Sequence, residues 1–481
     1  MKDKIEKILH SDTAVELDKF YNSPWYIACV AFVCVMSYMT GFSALAIALL
    51  AALVIPALIV CKNSFVLIPF LLMFALCMSP ATVGPEYFLR PMTISVLCVT
   101  AVVAIPAFVF HIAYYGKWRI MFKRSYLTVS FAVLTGLTVI GGIGAPSLSW
   151  IGVGLALAIG ASMFLPYSLF FNCGEYKGRK TIEFFAYTMI AVAVVIFSHV
   201  IKQYVSNGLN LDYHPKNLIE FGYAISNTAA AIVVLAIPMT FYLVHIYKYG
   251  FLFLPVVALE LLTVAMTFSR AALLIAIPGT LIVAIAMCFT KKTGRLGYWI
   301  TVGIGAAAAV ALVVVARHRL SDMIESFFSG TGSGRTNLWK SGFEAFKAHP
   351  VFGLGIWYLP PINDWYYSFH CTPLTYLYCT GVFGLGAYLY HRYRTVRLVF
   401  SAKLTKERVF LALTVLAMLC NALLDIAMTS PLHLLYYGTM LALINCDVKV
   451  NKKTVPVAVA AAGVAALYDD NSAKRRTDGR Q

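Results

Sequence analysis

Charged residues are scarce in this chain: they make up 12% of its 481 residues, whereas hydrophobic residues make up 60%. A soluble domain carries about 25% charged residues, so the composition excludes an ordinary soluble protein. Metal-binding and disulfide motifs are missing too. The 11 cysteines stand singly, with no CxxC pair and no cluster with histidine. This pattern excludes a disulfide framework or a zinc site and is typical of small buried apolar residues.

The sequence also shows no cleavable signal peptide and no inverted repeat of apolar segments. Residues 1–24 form a polar segment of mixed charge, and the apolar stretch after Trp25 has no convincing cleavage site, so we expect no signal peptide. The chain also lacks a mirrored pair of apolar segments broken by Gly or Pro. That absence weighs against a secondary transporter built from inverted repeats.

Long apolar runs dominate the sequence. A transmembrane helix needs about 20 apolar residues, and roughly fourteen runs approach that length, with 12 to 14 spans compatible with the pattern. The sequence therefore predicts an all-α integral membrane protein with both termini on the same side. The predicted spans are residues 25–40, 44–61, 64–79, 92–114, 126–145, 149–171, 182–203, 221–246, 250–268, 271–289, 298–316, 368–390, 409–428 and 431–447.

The net charge of +17 follows the predicted membrane topology. Most Lys and Arg residues fall in loops on one side, and the positive-inside rule assigns that side, with both termini, to the cytoplasm. The charge therefore indicates membrane orientation, and we expect no nucleic-acid partner. The predicted organisation is a cytoplasmic segment at 1–24, transmembrane helices 1–11 at 25–316, an external loop at 317–367, transmembrane helices 12–14 at 368–447 and a cytoplasmic tail at 448–481.

The external loop at 317–367 is the longest hydrophilic interruption of the chain, and such loops are usually functional. A short amphipathic helix is predicted from Asn337 to Ala348 and ends at His349-Pro350. Arginine binds phosphate oxygens in a bidentate fork, and aromatic side chains such as Trp339 and Trp357 offer apolar faces to sugar rings. The alternative is that these residues anchor lipid head groups in an interfacial belt.

Three cationic or titratable side chains on the predicted outer face are candidates for a site. Arg335 follows the flexible run Gly330–Gly334, Arg270 lies in a very short turn between two spans, and His370 opens the span after the long loop. The alternatives are snorkelling for an arginine and a structural hydrogen bond for the histidine. A histidine can also transfer protons at neutral pH.

Two carboxylates lie within predicted spans. Glu260 is in mid-helix, and Asp425 is near an outer end. Because a buried acid is costly in a bilayer, it is usually paired. Either residue could orient an arginine or the histidine, or could serve as a proton site in a transporter.

A series of short motifs follows one order along residues 220–430. They are Ser269-Arg270, Arg335-x-x-x-Trp339, His349-Pro350-x-x-Gly353-x-Gly355, and His370 followed by Leu374 and Gly381-Val382-Phe383-Gly384-Leu385-Gly386. In these motifs the chain resembles the O-antigen ligase and polymerase superfamily of polytopic membrane glycosyltransferases.

The resemblance implies a metal-independent enzyme without a cofactor at the outer face of the bacterial cytoplasmic membrane. Such an enzyme transfers a glycan from a lipid-linked oligosaccharide donor, carried on undecaprenyl diphosphate, to a glycan or lipid acceptor. By motif, Arg270 and Arg335 would bind the diphosphate and stabilise its developing charge. His370 would orient or deprotonate the acceptor hydroxyl. One position departs from the family: Cys371 follows His370 where the family usually has Asn.

Two other functions fit a polytopic membrane protein. A flippase or exporter of lipid-linked glycans would place basic residues in a central cavity, whereas the middle of the predicted spans is nearly free of cations. An ion-coupled permease would use Glu260 and Asp425 between paired broken helices, which the sequence does not indicate.

Overall fold

The structure is a computed structural model that describes residues 11–78, 91–141, 150–208, 220–221, 224–290, 294–315, 335–355, 361–362, 365–366, 369–425 and 427–453, together with residues 6 and 9. Its α-helices are α1 Asp12–Tyr21, α2 Pro24–Thr40, α3 Ser43–Val60, α4 Ile68–Met73, α5 Pro91–Tyr114, α6 Trp118–Met121, α7 Thr128–Ile140, α8 Trp150–Cys173, α9 Arg179–Ser206, α10 Ser226–Ile246, α11 Leu254–Met266, α12 Arg270–Thr290, α13 Arg295–Val315, α14 Arg335–Ala348, α15 Thr372–Val399, α16 Lys406–Leu424 and α17 Pro431–Lys453.

Shorter elements complete the described fold. Two-residue antiparallel hairpins are formed by β1 Glu220–Phe221 with β2 Ala224–Ile225 and by β3 Pro361–Ile362 with β4 Trp365–Tyr366. Single 3₁₀ turns occur at Ser64–Leu67, Phe74–Cys77, Gly250–Phe253 and Ala427–Thr429. The prediction of an all-helical protein is thus confirmed apart from these two hairpins.

Six described helices are long and apolar enough to cross a membrane: α3, α8, α9, α10, α12 and α16. The pair α1 and α2, bent by 66°, gives a seventh if it is counted as one span. Each of the predicted spans coincides with a helix or a group of helical turns, so the positions of the helices were predicted well. The number of about 14 crossings, the side of the termini and the orientation of the loop stay predictions.

Helix α10 forms the centre of the packing. Of the 18 consecutive residues that could cross the membrane in α10, 89% are buried in the protein, compared with 22% in α12 and 44% in α3. It packs against α9, α11, α12 and α16. Small and branched side chains such as Ala229, Ala230 and Ile232 let these neighbours approach on every side, as is usual between membrane helices.

Helices α15 and α16 pack against each other and are joined by a short connection, so they run in opposite directions. The start of α15 and the end of α16 therefore lie at the same end of the fold. Helix α15 has 28 residues and is interrupted by non-helical backbone at Gly381.

The other end of this helix pair carries basic side chains in buried contacts. Arg408 is fully buried, and its Nε donates to Oδ2 of Asp447 on α17 at 2.8 Å. The Arg392 guanidinium lies over the rings of Tyr388 and Tyr437, 4.6 and 4.9 Å from their centroids. Several of the charges that orient the predicted topology thus also hold helices together.

Candidate functional site

A histidine–carboxylate pair lies where α15 begins and α16 ends. The Nδ1 atom of His370 is 2.9 Å from Oδ1 of Asp425. The His370 side chain is 23% exposed and that of Asp425 11%, so the pair is reachable but largely shielded from solvent. His370 adopts a left-handed backbone with φ +47°, which is uncommon for a non-glycine residue and is found at functional sites.

The backbone around Asp425 fixes the carboxylate in place. Asp425 is the C-cap residue of α16, and its N–H donates to the Asn421 carbonyl at 2.8 Å. From the other helix, Thr372 Oγ1 donates to the Asp425 carbonyl oxygen at 3.1 Å. The ends of the two helices are therefore tied to each other by the backbone of Asp425, and its side chain is left to contact His370.

Helix α14 is the predicted amphipathic helix, and its existence is confirmed; it begins two residues earlier, at Arg335. Its buried side is narrow. Leu338 is 3% exposed, and a side chain at Gly342 would collide with the rings of Tyr378 and Phe369. The glycine therefore lets α14 lie directly against α15.

A tryptophan hydrogen bond connects α14 to the residue before the histidine. Trp339 Nε1 donates to the Phe369 carbonyl at 2.8 Å, and the Tyr378 hydroxyl donates to the Trp339 carbonyl at 3.3 Å. Trp339 remains 38% exposed, so part of the residue is accessible to solvent next to the segment that carries His370. Trp357, the other predicted sugar-binding tryptophan, lies outside the described residues.

Arg335 lies in the same corner of the fold. Its side chain is partly exposed and interacts electrostatically with the thiol of Cys371, the residue next to His370. The convergence of Arg335 with His370 at one site stays a prediction. The buried Cys371 begins α15 as its N-cap residue.

The segment Pro350–Gly355 docks on a break in α15. At the break, Gly381 has φ +66° and ψ −166° inside the helix. The freed backbone groups bond to the loop: Leu354 and Gly355 N–H donate to the Tyr378 and Cys379 carbonyls at 3.0 and 2.9 Å. In the other direction, Val382 N–H donates to the Pro350 carbonyl at 3.0 Å.

Close backbone contact explains the glycines of this motif. A Cβ at Gly381 would lie 2.1 Å from the Val351 carbonyl oxygen, and one at Gly353 would lie 2.5 Å from the backbone of Cys379. Gly353 also has a positive φ of +71°. The motif His349-Pro350-x-x-Gly353-x-Gly355 is therefore a clamp that fixes the chain between α14 and α15.

Arg270 is the first residue of α12, after a turn that the surrounding contacts hold. Thr267 and Ser269 are buried, Phe268 has φ +51°, and the Tyr204 hydroxyl donates to the Met266 carbonyl at 2.8 Å. The turn thus fixes the direction in which the partly exposed Arg270 leaves the backbone. Its convergence with Arg335 and His370 stays a prediction.

The two predicted carboxylates have different partners. Asp425 contacts His370, whereas Glu260 is fully buried and its Oε1 accepts from Thr240 Oγ1 at 2.6 Å. Asp425 thus has a titratable partner, whereas Glu260 has one hydroxyl donor and its buried Oε2 has no hydrogen-bond partner among the described residues. A supporting role for either acid at the site stays a prediction.

Sequence reasoning missed three features that shape the site: the contacts of Thr372 and of the Trp339 indole, and the strained Phe268. The first two are hydrogen bonds between distant segments and leave no sequence signal, whereas the Thr-Pro pair at 372–373 does mark the helix start. Among the described residues, no group of three or more His, Cys, Asp or Glu side chains could hold a metal ion.

These features define a multi-pass helical membrane protein with a histidine–carboxylate pair and an arginine at one end of its helices. Residues 255–389 match the family model of O-antigen ligases, so the resemblance to the O-antigen ligase and polymerase superfamily is confirmed over this part of the chain. The matched residues include Arg270, Arg335 and His370, and Asp425 lies beyond them. The family assembles bacterial surface polysaccharide with glycosyltransferase-like enzymes. A search of curated proteins found no match to the chain.

Proposed function

We propose that this protein transfers a glycan from an undecaprenyl-diphosphate carrier to an acceptor hydroxyl at the outer face of the cytoplasmic membrane. The observation that carries the proposal is the His370–Asp425 hydrogen bond, 2.9 Å long, in which His370 lies within the residues that match the O-antigen ligase family model. Both surface polysaccharide polymerases and ligases perform this kind of transfer.

On the acceptor side, Asp425 accepts a hydrogen bond from Nδ1–H of His370, which leaves the Nε2 lone pair free to face the acceptor. The acceptor oxygen forms a bond to the anomeric carbon of the donor sugar while Nε2 takes the hydroxyl proton. The negative Asp425 stabilises the imidazolium that results. No metal or cofactor is required for this step, because the histidine takes the proton and the carrier leaves as a stable anion.

On the donor side, the bond between the anomeric carbon and the diphosphate oxygen breaks, and the electron pair leaves with the carrier. Arg335 and Arg270 bind the diphosphate and stabilise that negative charge, which grows in the transition state. The exposed face of Trp339 packs against a sugar ring of the donor or acceptor.

The proposed location of the site follows from the predicted topology. With about 14 spans and cytoplasmic termini, the turn at Arg270, the start of α15 and the end of α16 all fall on the outer face. That face is where a carrier lipid presents a finished oligosaccharide and where polysaccharide is assembled.

The test compares cells that lack the protein, complemented with the wild type, Arg335→Ala, Arg270→Ala or Lys340→Ala. Lys340 is an exposed cation on the same helix as Arg335 and serves as the matched control. We expect loss of long surface polysaccharide and accumulation of lipid-linked glycan with both arginine variants, and normal polysaccharide with the lysine variant.

The accumulated material distinguishes the functions. Single lipid-linked repeats at the outer face identify a polymerase, and full-length lipid-linked chains identify a ligase. Lipid-linked glycan trapped at the inner face would identify a flippase, and wild-type polysaccharide in both arginine variants would contradict the diphosphate site.

A further inference from the structure

An apolar groove of about 960 Å³ lies among α3, α4, α5, α6 and α8. Its lining is almost entirely hydrocarbon, and all of its lining residues lie outside the matched residues 255–389. The groove is therefore separate from the site with His370, and the proposed transfer does not account for it.

The groove has the depth of one membrane leaflet. It is lined on α3 from Ile47 to Leu58, on α5 from Thr100 to Ile112 and on α8 from Ala158 to Leu169. Twelve or thirteen helical residues extend about 17 Å from the first to the last, roughly half of the ~30 Å hydrocarbon core. A groove of this depth fits the acyl chains of a phospholipid in one leaflet.

The lining reaches the last turns of all three helices, since Leu58, Ile112 and Leu169 lie two to four residues before the helix ends. We call Trp118, Met121 and Phe122, which line this end, the groove mouth. Trp118 is 70% exposed and Phe122 55% exposed. Large aromatic side chains at this depth are typical of the boundary between hydrocarbon and head groups.

Three exposed cations, Arg119, Lys123 and Arg124, alternate with the mouth residues along the chain, and we call them the basic rim. In the predicted topology this end faces the cytoplasm. The apolar residues of this segment line the groove, whereas its exposed cations do not. This alternation is typical of a segment that lies at a membrane surface.

The mouth is held by hydrogen bonds from α8. Asn172 Nδ2 donates to the Met121 and Lys123 carbonyls at 2.9 and 3.2 Å, and Ser168 Oγ also donates to the Met121 carbonyl. The exposed aromatic residues therefore stand on a fixed backbone.

Lys117 fastens the segment before α4 to the end of α5. Its buried Nζ donates to Ser64 Oγ at 2.9 Å and lies 3.2 Å from His111 Nε2, and it also contacts the Lys62 carbonyl. Because this ammonium points inward and has partners, it is not part of the basic rim.

We propose that the groove binds an anionic glycerophospholipid, with its acyl chains in the groove and its phosphate head group on the basic rim. The leaflet depth selects acyl chains, and the three cations at the mouth select a negative head group. Each basic side chain near an anionic lipid surface contributes about a fivefold factor in affinity, so the rim together contributes roughly a hundredfold.

The test measures thermal unfolding and native mass spectra of the full-length protein in a non-ionic detergent with added lipid. The probes are phosphatidylglycerol, phosphatidylethanolamine, undecaprenyl phosphate and inorganic phosphate. We expect phosphatidylglycerol to raise the Tm and to remain bound as a one-to-one complex, while the other three have little effect.

Variants locate the lipid. Ala161→Trp fills the groove, and Ala286→Trp places the same side chain on an exposed position of α12 outside it. We expect only Ala161→Trp to abolish the Tm shift. If Ala161→Trp does not fold, Ala158→Leu is the milder variant, with a partial loss expected.

Charge variants test the head-group contact. We expect the triple variant Arg119→Gln, Lys123→Gln and Arg124→Gln to bind phosphatidylglycerol roughly a hundredfold more weakly. The control is the triple variant Arg295→Gln, Lys403→Gln and Lys406→Gln, which removes three exposed cations elsewhere on the predicted cytoplasmic face.

Three results would overturn the proposal. One is an equal response to phosphatidylethanolamine, which would remove the role of charge. Another is a larger response to undecaprenyl phosphate that Ala161→Trp abolishes, which would identify a carrier lipid. The third is an unchanged lipid response in Ala161→Trp, which would place the lipid outside the groove.

Discussion

Replacement of Asp425 by asparagine removes the negative charge beside His370 and preserves the size of the side chain. The backbone contacts of residue 425, from its N–H to Asn421 and from Thr372 to its carbonyl, do not involve the carboxylate. We therefore expect Asp425→Asn to fold and insert as the wild type does, and to lose transfer activity.

The size of the loss follows from the contact that is changed. A net hydrogen bond to a charged group is worth about 1.5–3 kcal/mol, and each 1.36 kcal/mol is about tenfold in rate. The 2.9 Å contact is largely shielded from solvent, so we expect a rate of transfer about 10- to 150-fold lower in Asp425→Asn. His370→Ala, which removes the base itself, should lose about 10²- to 10⁴-fold.

The assay is the initial rate of glycan transfer by purified protein from a lipid-linked donor to its acceptor. Lys340→Ala is the control, because it removes an exposed charge on α14 and leaves the contacts of Asp425 unchanged. The double variant of His370→Ala and Asp425→Asn should be no slower than His370→Ala alone, since both changes remove one function. A wild-type rate in Asp425→Asn, or full additivity in the double variant, would refute the reasoning.

Two further predictions concern stability. Gly381→Ala should lower the free energy of unfolding by about 2 kcal/mol or more and abolish transfer, because its Cβ would lie 2.1 Å from a loop carbonyl oxygen. Gly386→Ala is the control, since a Cβ at this position of the same helix would lie in open space. In thermal unfolding and transfer assays, Gly386→Ala should be neutral or stabilising. Burial lowers the pKa of Lys117 from 10.5 to about 8. Its proton is therefore bound less tightly in the folded state, and stability rises between about pH 8 and 10.5, by on the order of 3 kcal/mol. Lys117→Met should lose this rise, and an identical Tm profile from pH 7.5 to 10 in both proteins would contradict it.

The positions of the helices could be predicted from the sequence, because runs of apolar residues reveal them one by one. Helix α14 was predicted within two residues at its start from its apolar face and the His349-Pro350 end. Such features depend on neighbours in the sequence. Local patterns are the most reliable part of a sequence-based prediction.

The partner of His370 could not be predicted in the same way. Asp425 is 55 residues away, and its contact with His370 depends on the antiparallel packing of α15 and α16. The sequence offered Asp425 as one of two candidate carboxylates and could not choose between it and Glu260.

The break at Gly381 was also missed. The run 368–390 is apolar throughout and was interpreted as one continuous span, and glycines occur in membrane helices without breaking them. Only the docked loop, which accepts and donates the hydrogen bonds freed at the break, makes it stable. The sequence contains Gly381 but does not indicate that the segment Pro350–Gly355 packs against it.

The buried Arg408 at the far end of α15 and α16 has a consequence for how the protein is made. In the predicted topology, Arg408 counts during insertion as one positive charge that keeps its loop in the cytoplasm, and a lysine would count equally. In the finished protein Arg408 has no solvent contact and needs a planar fork to reach Asp447 and the Ala402 carbonyl together. Insertion into the membrane therefore depends only on the charge of Arg408. Its contacts in the folded protein also depend on the planar shape of the guanidinium group.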